Sequence, residues 1–262
     1  MNESAFPRVD LGREVAVDTP RFGVFDTLLA EDGVAWFVER HLTRLRHTCA
    51  HFRIDAFDHF DIARELAQFV ARLEGRRALV RTSVQGLTDP SLTIRARAPR
   101  VVPAGGVELL GIDALPDPDG SWKTTEHAAR VLHVGHAERA VAFDALLVLP
   151  DGEVVEAARA NVFAVVDGVA VTPPLSSGAL PGIVRGIRLE SVRGIVERRL
   201  DLEDLRRASE VWITSSGLRV APVRSIRGAR EDLPGPRGKG TIAAQRVLQD
   251  LETSYEAGTR RG

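Results

Sequence analysis

The sequence predicts a mixed fold in two parts: a small α+β domain at the N-terminal end and a larger, strand-rich α/β domain after it. Three observations carry this reading. The residues up to about 100 follow the order ββααββ, the stretch 99–120 is rich in Pro, Gly and Asp, and 145–172 holds short apolar runs separated by Asp-Gly turns. We place the boundary near 115, giving a first domain 1–115 that ends in the connecting segment and a second, 116–262.

Each element has its own warrant. Val24 to Ala30 and Val34 to Val38 are apolar runs divided by Glu31-Asp32-Gly33, the pattern of a β-hairpin. Leu42, Leu45, Cys49 and Phe52 recur three and four apart, which predicts a helix over 39–52. A second helix is expected from Phe60 to Leu73, stopped by Gly75. Arg77 to Val84 and Ser91 to Ala98 flank the turn 86–90 and complete the small domain as two more strands. Val107 to Ile112 is an apolar strand inside the connection. Beyond it, a helix is expected over His127 to Ala140, and strands at 145–149, 153–155, 162–166 and 169–172. Helices at 182–193, 201–208 and 241–251 surround them, Asp201 serving as an N-cap. The polar tail 252–262 is expected to be loosely ordered.

Composition narrows the chemistry. A formal charge of −1 without long basic runs gives no footprint for nucleic acid or a membrane surface. The single cysteine, Cys49, can build neither an internal disulfide framework nor a cysteine zinc site, which points to a reducing cytoplasm. No run of about 18 apolar residues predicts a membrane span. Small-molecule chemistry is the expectation that remains.

Lysine occurs only at Lys123 and Lys239, in a chain whose other cationic side chains are arginine. A guanidinium stays protonated and cannot act as an amine nucleophile, whereas a lysine can. Lys123 is therefore a candidate for amine chemistry, and Lys239, within Arg237-Gly238-Lys239-Gly240, reads as incidental. Leu180-Pro181-Gly182-Ile183-Val184-Arg185 leads into a helix whose first amides, those of Ile183 and Val184, offer an anion site or simply begin the helix. The hydroxyls of Thr214-Ser215-Ser216 either close that site or cap a turn.

Five ordered segments resemble the class IV aminotransferases, the fold-type IV pyridoxal 5′-phosphate (PLP) enzymes, and among them the aminodeoxychorismate lyases most. They are Val24-Phe25-Asp26-Thr27-Leu28, Glu39-Arg40-His41-Leu42-Thr43-Arg44-Leu45, Trp122-Lys123-Thr124-Thr125, the block 143–171, and 172–182 beginning Thr172-Pro173-Pro174-Leu175. Within the block, Val155-Glu156-Ala157-Ala158-Arg159-Ala160-Asn161-Val162-Phe163 is similar to the family's pattern of Glu, small residues, then Asn and an apolar pair. The resemblance spans roughly 22–228.

It implies a cofactor, PLP, joined covalently to the Lys123 amine, with Lys123 then moving protons at the substrate carbon. By the same resemblance Glu156 faces the pyridine nitrogen and keeps it protonated, which makes the ring an electron sink. Arg44 reaches the cofactor phosphate, with the amides of Ile183 and Val184 and the hydroxyls of Ser215 or Ser216 around it. Asn161 holds the loop after Glu156. Arg81 is the candidate for a substrate carboxylate.

Members commonly carry Asn, then Tyr or Arg, at the third and fourth positions after the lysine, where this chain has Glu126 and His127. The one tyrosine is Tyr255, so His127 is the nearest substitute for a contact to the cofactor's phenolic oxygen or to substrate. Arg21-Phe22-Gly23 stands for the usual Gly-Asp-Gly, and Thr214-Ser215-Ser216 for the Thr-Gly-Thr type of loop. The resemblance further implies a homodimer and either lyase chemistry on 4-amino-4-deoxychorismate or transamination of a branched-chain or D-amino acid.

Overall fold

The computed structural model describes residues 22–125 and 128–259. They group into two compact units, and chain order is not the divide: 22–100, 122–125 and 250–259 form the smaller, and 101–121 with 128–249 the larger. The division therefore begins at Val101 rather than near 115. The reason is strand pairing: residues 107–113 pair with strands of the larger unit.

In the smaller unit, β1 (Gly23–Glu31) turns through Asp32 and Gly33, both at positive φ, into the two-residue β2 (Val34–Ala35). The predicted strand to Val38 stops early because Phe37 adopts a left-handed conformation (φ 56°) and starts α1 (Val38–His51). A short helix, α2 (Ala56–His59), precedes α3 (Ile62–Ala71), whose first turn is capped by Asp61 accepting from the Arg64 amide at 3.1 Å. Next come β3 (Ala78–Gln85) and β4 (Ser91–Arg97), and the antiparallel sheet runs β2-β1-β3-β4. Alternation sends Val24, Leu28 and Ala30 of β1 into a core with Leu45, Cys49, Ile62, Leu66 and Val70 from the helices. Phe25 and Thr27 lie on the other face.

The larger unit starts with β5 (Val107–Asp113). It is followed by α4 (Ala128–Arg139), β6 (Asp144–Val148), β7 (Val154–Ala157), β8 (Asn161–Val166) and β9 (Val169–Thr172). Then come α5 (Ile183–Ser191), β10 (Ile195–Glu197), α6 (Leu202–Arg207), β11 (Glu210–Ser215), β12 (Arg219–Arg227) and α7 (Lys239–Thr259), whose residues from Asp250 on group with the smaller unit. One mixed eight-stranded sheet has the order β10-β9-β8-β11-β12-β5-β6-β7. β5 lies parallel between β12 and β6, which ties 107–113 to this unit. Phe163 and Trp212 stack at 5.6 Å in the core. Asp201 and Asp204 form a reciprocal capping box on α6.

The expected loose tail is corrected: α7 continues to Thr259. Tyr255 packs against Trp36 and Phe37 at 6.0 and 5.1 Å, and its hydroxyl donates to the Ala35 carbonyl at 3.3 Å and accepts from the Val38 amide at 3.2 Å. One aromatic in a polar stretch orders the segment, because its ring and hydroxyl find partners on the small sheet.

Candidate active site

Lys123 is pinned to the first strand. Its carbonyl accepts from the Phe25 amide at 2.9 Å, Thr124 bridges Val24, and the Thr125 amide donates to the Gly23 carbonyl at 2.8 Å. Trp122 adds a stack on His51, 4.0 Å between ring centres and 14° from parallel. The Lys123 ammonium nitrogen lies 4.8 Å from the centre of the Phe25 ring. Arg81, on β3, rests its guanidinium 3.5 Å from the same ring centre and donates to Ser83 Oγ at 3.2 Å. Lys239, the other lysine, is exposed at the start of α7.

On the core side of β1 the small unit holds a buried charge group. Asp26, 4% exposed, accepts from Arg44 Nε at 2.7 Å, Arg44 Nη2 at 2.9 Å and His41 Nδ1 at 2.6 Å. A carboxylate only accepts, so the proton of His41 sits on Nδ1. Burial acts to raise the Asp26 carboxyl, but the Arg44 charge and the hydrogen bonds from His41 and Arg44 outweigh it and hold the group well below the usual carboxylate range. Burial also lowers His41, and the positive charges of Arg44 and Lys123 push the same way against the pull of Asp26. Arg44 therefore arrives with its guanidinium clamped edge-on by one carboxylate.

The larger unit carries a second group. Glu156, on β7 and 2% exposed, accepts from Asn161 Nδ2 at 2.9 Å and from the Leu180 amide at 3.2 Å. Asn161 Nδ2 also donates to the Leu180 carbonyl at 2.9 Å, which ties the turn before α5 to the start of β8. Gly182 is the N-cap of α5, and a Cβ there would stand 1.9 Å from Asn161 Oδ1, so close approach and not dihedral freedom demands the glycine. The amides of Ile183 and Val184 open the helix behind it. Thr214 pairs in register with Asn161 across β8 and β11, so the two side chains share a sheet face. The Thr214 hydroxyl is buried without a hydrogen-bond partner. Ser215 accepts from the Leu218 amide at 3.2 Å and so caps its turn.

The residues named from sequence thus fall into two sets: Arg44, Arg81 and Lys123 in the smaller unit, and Glu156, Asn161, Ile183, Val184, Ser215 and Ser216 in the larger. His127 lies outside the described residues. Asp26 and His41 lie in segments that carry the family resemblance but are assigned no role by it; an acid at a core-facing position of an alternating strand is the sequence signal for them. Thr214 belongs to the hydroxyl cluster Thr214-Ser215-Ser216, and nothing in the sequence marks it apart from its two neighbours.

Taken unit by unit, the amine beside an aromatic ring in the smaller and the buried acid and helix start in the larger are groups of the kind that suit a phosphorylated, nitrogen-containing cofactor. The amino-transferase class IV family model matches residues 23–226, and the chain belongs to that family. The chain is 28% identical over 258 residues to the D-alanine aminotransferase of Bacillus licheniformis, covering 90% of each. It is 29% identical over 230 residues, 79% of each chain, to a Methanocaldococcus jannaschii protein provisionally named a branched-chain-amino-acid aminotransferase. A Legionella pneumophila structure, provisionally named a 4-amino-4-deoxychorismate lyase, superimposes with TM-score 0.75 at 19% identity, covering 92% of this chain and 96% of that one. The shared architecture is the fold-type IV fold. Class IV aminotransferases are PLP-dependent enzymes, and PLP is the cofactor here. The orphaned Thr214 hydroxyl and the acceptor carboxylate of Glu156 fit such a group.

Proposed function

We propose that the chain is an aminodeoxychorismate lyase, converting 4-amino-4-deoxychorismate to 4-aminobenzoate and pyruvate with PLP held on Lys123. The observation that carries the reading is the Lys123 amine poised against Phe25, on the strand whose next residue, Asp26, clamps Arg44. When bound, PLP supplies an electron sink for a carbanion at the amine-bearing carbon. Lys123 takes the proton from that carbon and returns a proton to product. Glu156 holds a proton at the pyridine nitrogen, and Asn161 keeps that carboxylate in place. Arg44, the amides of Ile183 and Val184, and Ser216 or Ser215 bind the phosphate, to which we add the Thr214 hydroxyl. Arg81 takes a substrate carboxylate, with His127 near the cofactor's phenolic oxygen or substrate. In the lyase reaction the bond from ring carbon to the enolpyruvyl oxygen breaks, the oxygen leaves with the electron pair, and the ring becomes aromatic.

The resemblance of the stretch 122–171 to the lyases favours the lyase. A second reading, transamination of a branched-chain or D-amino acid with a 2-oxo acid, is favoured by the names of the relatives matched over 79% and 90% of the chain. Purified protein given 4-amino-4-deoxychorismate is expected to release pyruvate and 4-aminobenzoate in equal amounts. Amino exchange with 2-oxo acids and no reaction with that substrate would replace the first reading with the second. We further propose a homodimer working in the reducing cytoplasm, where the buried Cys49 thiol, pushed up to about 11 by burial, stays reduced. Sedimentation at micromolar concentration tests the dimer, and a monomer would contradict it. Among the described residues no helix is long and apolar enough to cross a membrane.

A further inference from the structure

Two arginines of α5 are buried in the larger unit, Arg185 at 4% and Arg188 at 2% exposed. Arg185 is compensated: it pairs with the Glu197 carboxylate and donates to the Pro173 carbonyl at 2.8 Å. Arg188 has no such partner. Its Nη1 donates to the Ala244 carbonyl of α7 at 3.4 Å, its Nε has no hydrogen-bond partner, and among the described residues no carboxylate pairs with it. Burial lowers its pKa, yet a guanidinium stays protonated, so the fold carries a buried cation without a counter-charge, an arrangement that costs free energy. The start of the same helix is fixed against Asn161, whose Oδ1 a Cβ at Gly182 would meet, and so lies over the sheet face that Asn161 shares with Thr214. The Thr214 hydroxyl, 1% exposed, is a second polar group on that face without a partner.

Arg188 stands four residues after Val184, on the same side of the helix, and helical side chains lean toward the N-terminus. Five residues separate it from Ile183, so its charge lies on the order of 8–10 Å from an anion held at the helix start. We infer that Arg188 is the buried counter-charge for the cofactor phosphate bound at the start of α5. The inference rests on the proposed PLP reading and deepens it by naming the residue that supplies net charge. A phosphate monoester brings roughly two negative charges near neutral pH. Helix amides and hydroxyls offer it hydrogen bonds and a partial charge. Arg44 arrives with the ionised Asp26 carboxylate on it, so that pair is a donor fork with little net charge. Arg188 supplies a full charge. At an effective dielectric of about 20, opposite unit charges about 8–10 Å apart attract strongly enough to change an affinity more than tenfold.

The test is a pair of absorbance titrations of the full-length protein, one with PLP and one with pyridoxal, which lacks the phosphate. Arg188→Met keeps a long, unbranched side chain and removes its charge. It is expected to weaken PLP binding at least about tenfold and to change pyridoxal affinity by less than about twofold. The melting temperature of the cofactor-free variant should equal or exceed that of wild type, because an apolar side chain replaces an uncompensated buried charge. An unchanged PLP affinity in Arg188→Met overturns the inference. So does a variant that melts lower or does not fold, or one in which both ligands weaken together, because a guanidinium that only ties α5 to α7 gives that result. Should wild type take up no PLP, the cofactor reading fails by itself, and calorimetry with inorganic phosphate decides the inference. Weaker phosphate binding by Arg188→Met than by wild type then supports it, and equal binding, or none to wild type, overturns it.

Discussion

A carboxylate on the core side of a strand loses its hydration, and breaking a buried ion pair by removing one partner costs about 3–5 kcal/mol. Asp26 survives there because Arg44 and His41 supply three hydrogen bonds. Asp26→Asn is expected to lower unfolding free energy by about 3 kcal/mol in denaturant titration. It should also weaken PLP binding, because Arg44 loses its clamp. The pH dependence has a definite sign. Asp26 has a folded pKa below its unfolded value of about 3.9, so its contribution is complete above that pH and fades as acid carries the pH down toward the folded value. His41 is also lowered, so stability begins to fall below about pH 6.5, where the unfolded chain takes up the proton more readily. Melting temperatures between pH 8 and 3 check this; in Asp26→Asn the steep acid limb below about pH 4 should flatten. At this scale scarcity is the clearest signal: two lysines among many arginines make Lys123 a candidate, whereas Asp26 differs from other acids only in its alternation with Val24 and Leu28.

The start of α5 shows how an element is fixed by one approach. Asn161 Oδ1 occupies the space a Cβ at Gly182 would need. Gly182→Ala is therefore expected to cost about 1–3 kcal/mol, the range for overpacking, and to reduce PLP affinity by shifting the helix amides. The cost should largely disappear when Asn161 is also replaced by Ala, a coupling that a double-mutant cycle reads directly. Tyr255→Phe should cost about 1 kcal/mol by deleting its hydrogen bonds to the Ala35 and Val38 backbone, measured by chemical denaturation. Periodicity was enough for α1, α3 and the hairpins of both units, since those segments alternate or repeat cleanly. β12 escaped it because Pro222 interrupts the run and the register shifts between Val223 and Ser225. β10 is three residues long on an outer strand with little burial to mark it. The end of α7 was hidden for a different reason: its ordering depends on aromatic partners more than 200 residues away in sequence.

Across the whole molecule, pairing rather than chain order decides which residues act together. The segment 122–125 belongs with β1 although it follows the large unit's β5, and it carries the proposed nucleophile into the small sheet. Resemblance, not periodicity, made that site legible, because contacts between residues about a hundred positions apart leave no local pattern. Arg81 and Arg95 are register partners on the small sheet, and like charges directly opposed repel, so Arg95→Ala should raise stability by a few tenths of a kcal/mol, with the gain shrinking in high salt as repulsion is screened. A melting temperature unchanged or lowered in low salt would count against that repulsion. All of the proposed chemistry depends on which amine the cofactor joins, so the direct measurement is borohydride reduction of PLP-loaded protein followed by peptide mass spectrometry. The adduct is expected on the peptide containing Lys123 and should vanish in Lys123→Ala; an adduct on Lys239 instead, or on no residue, would contradict the account.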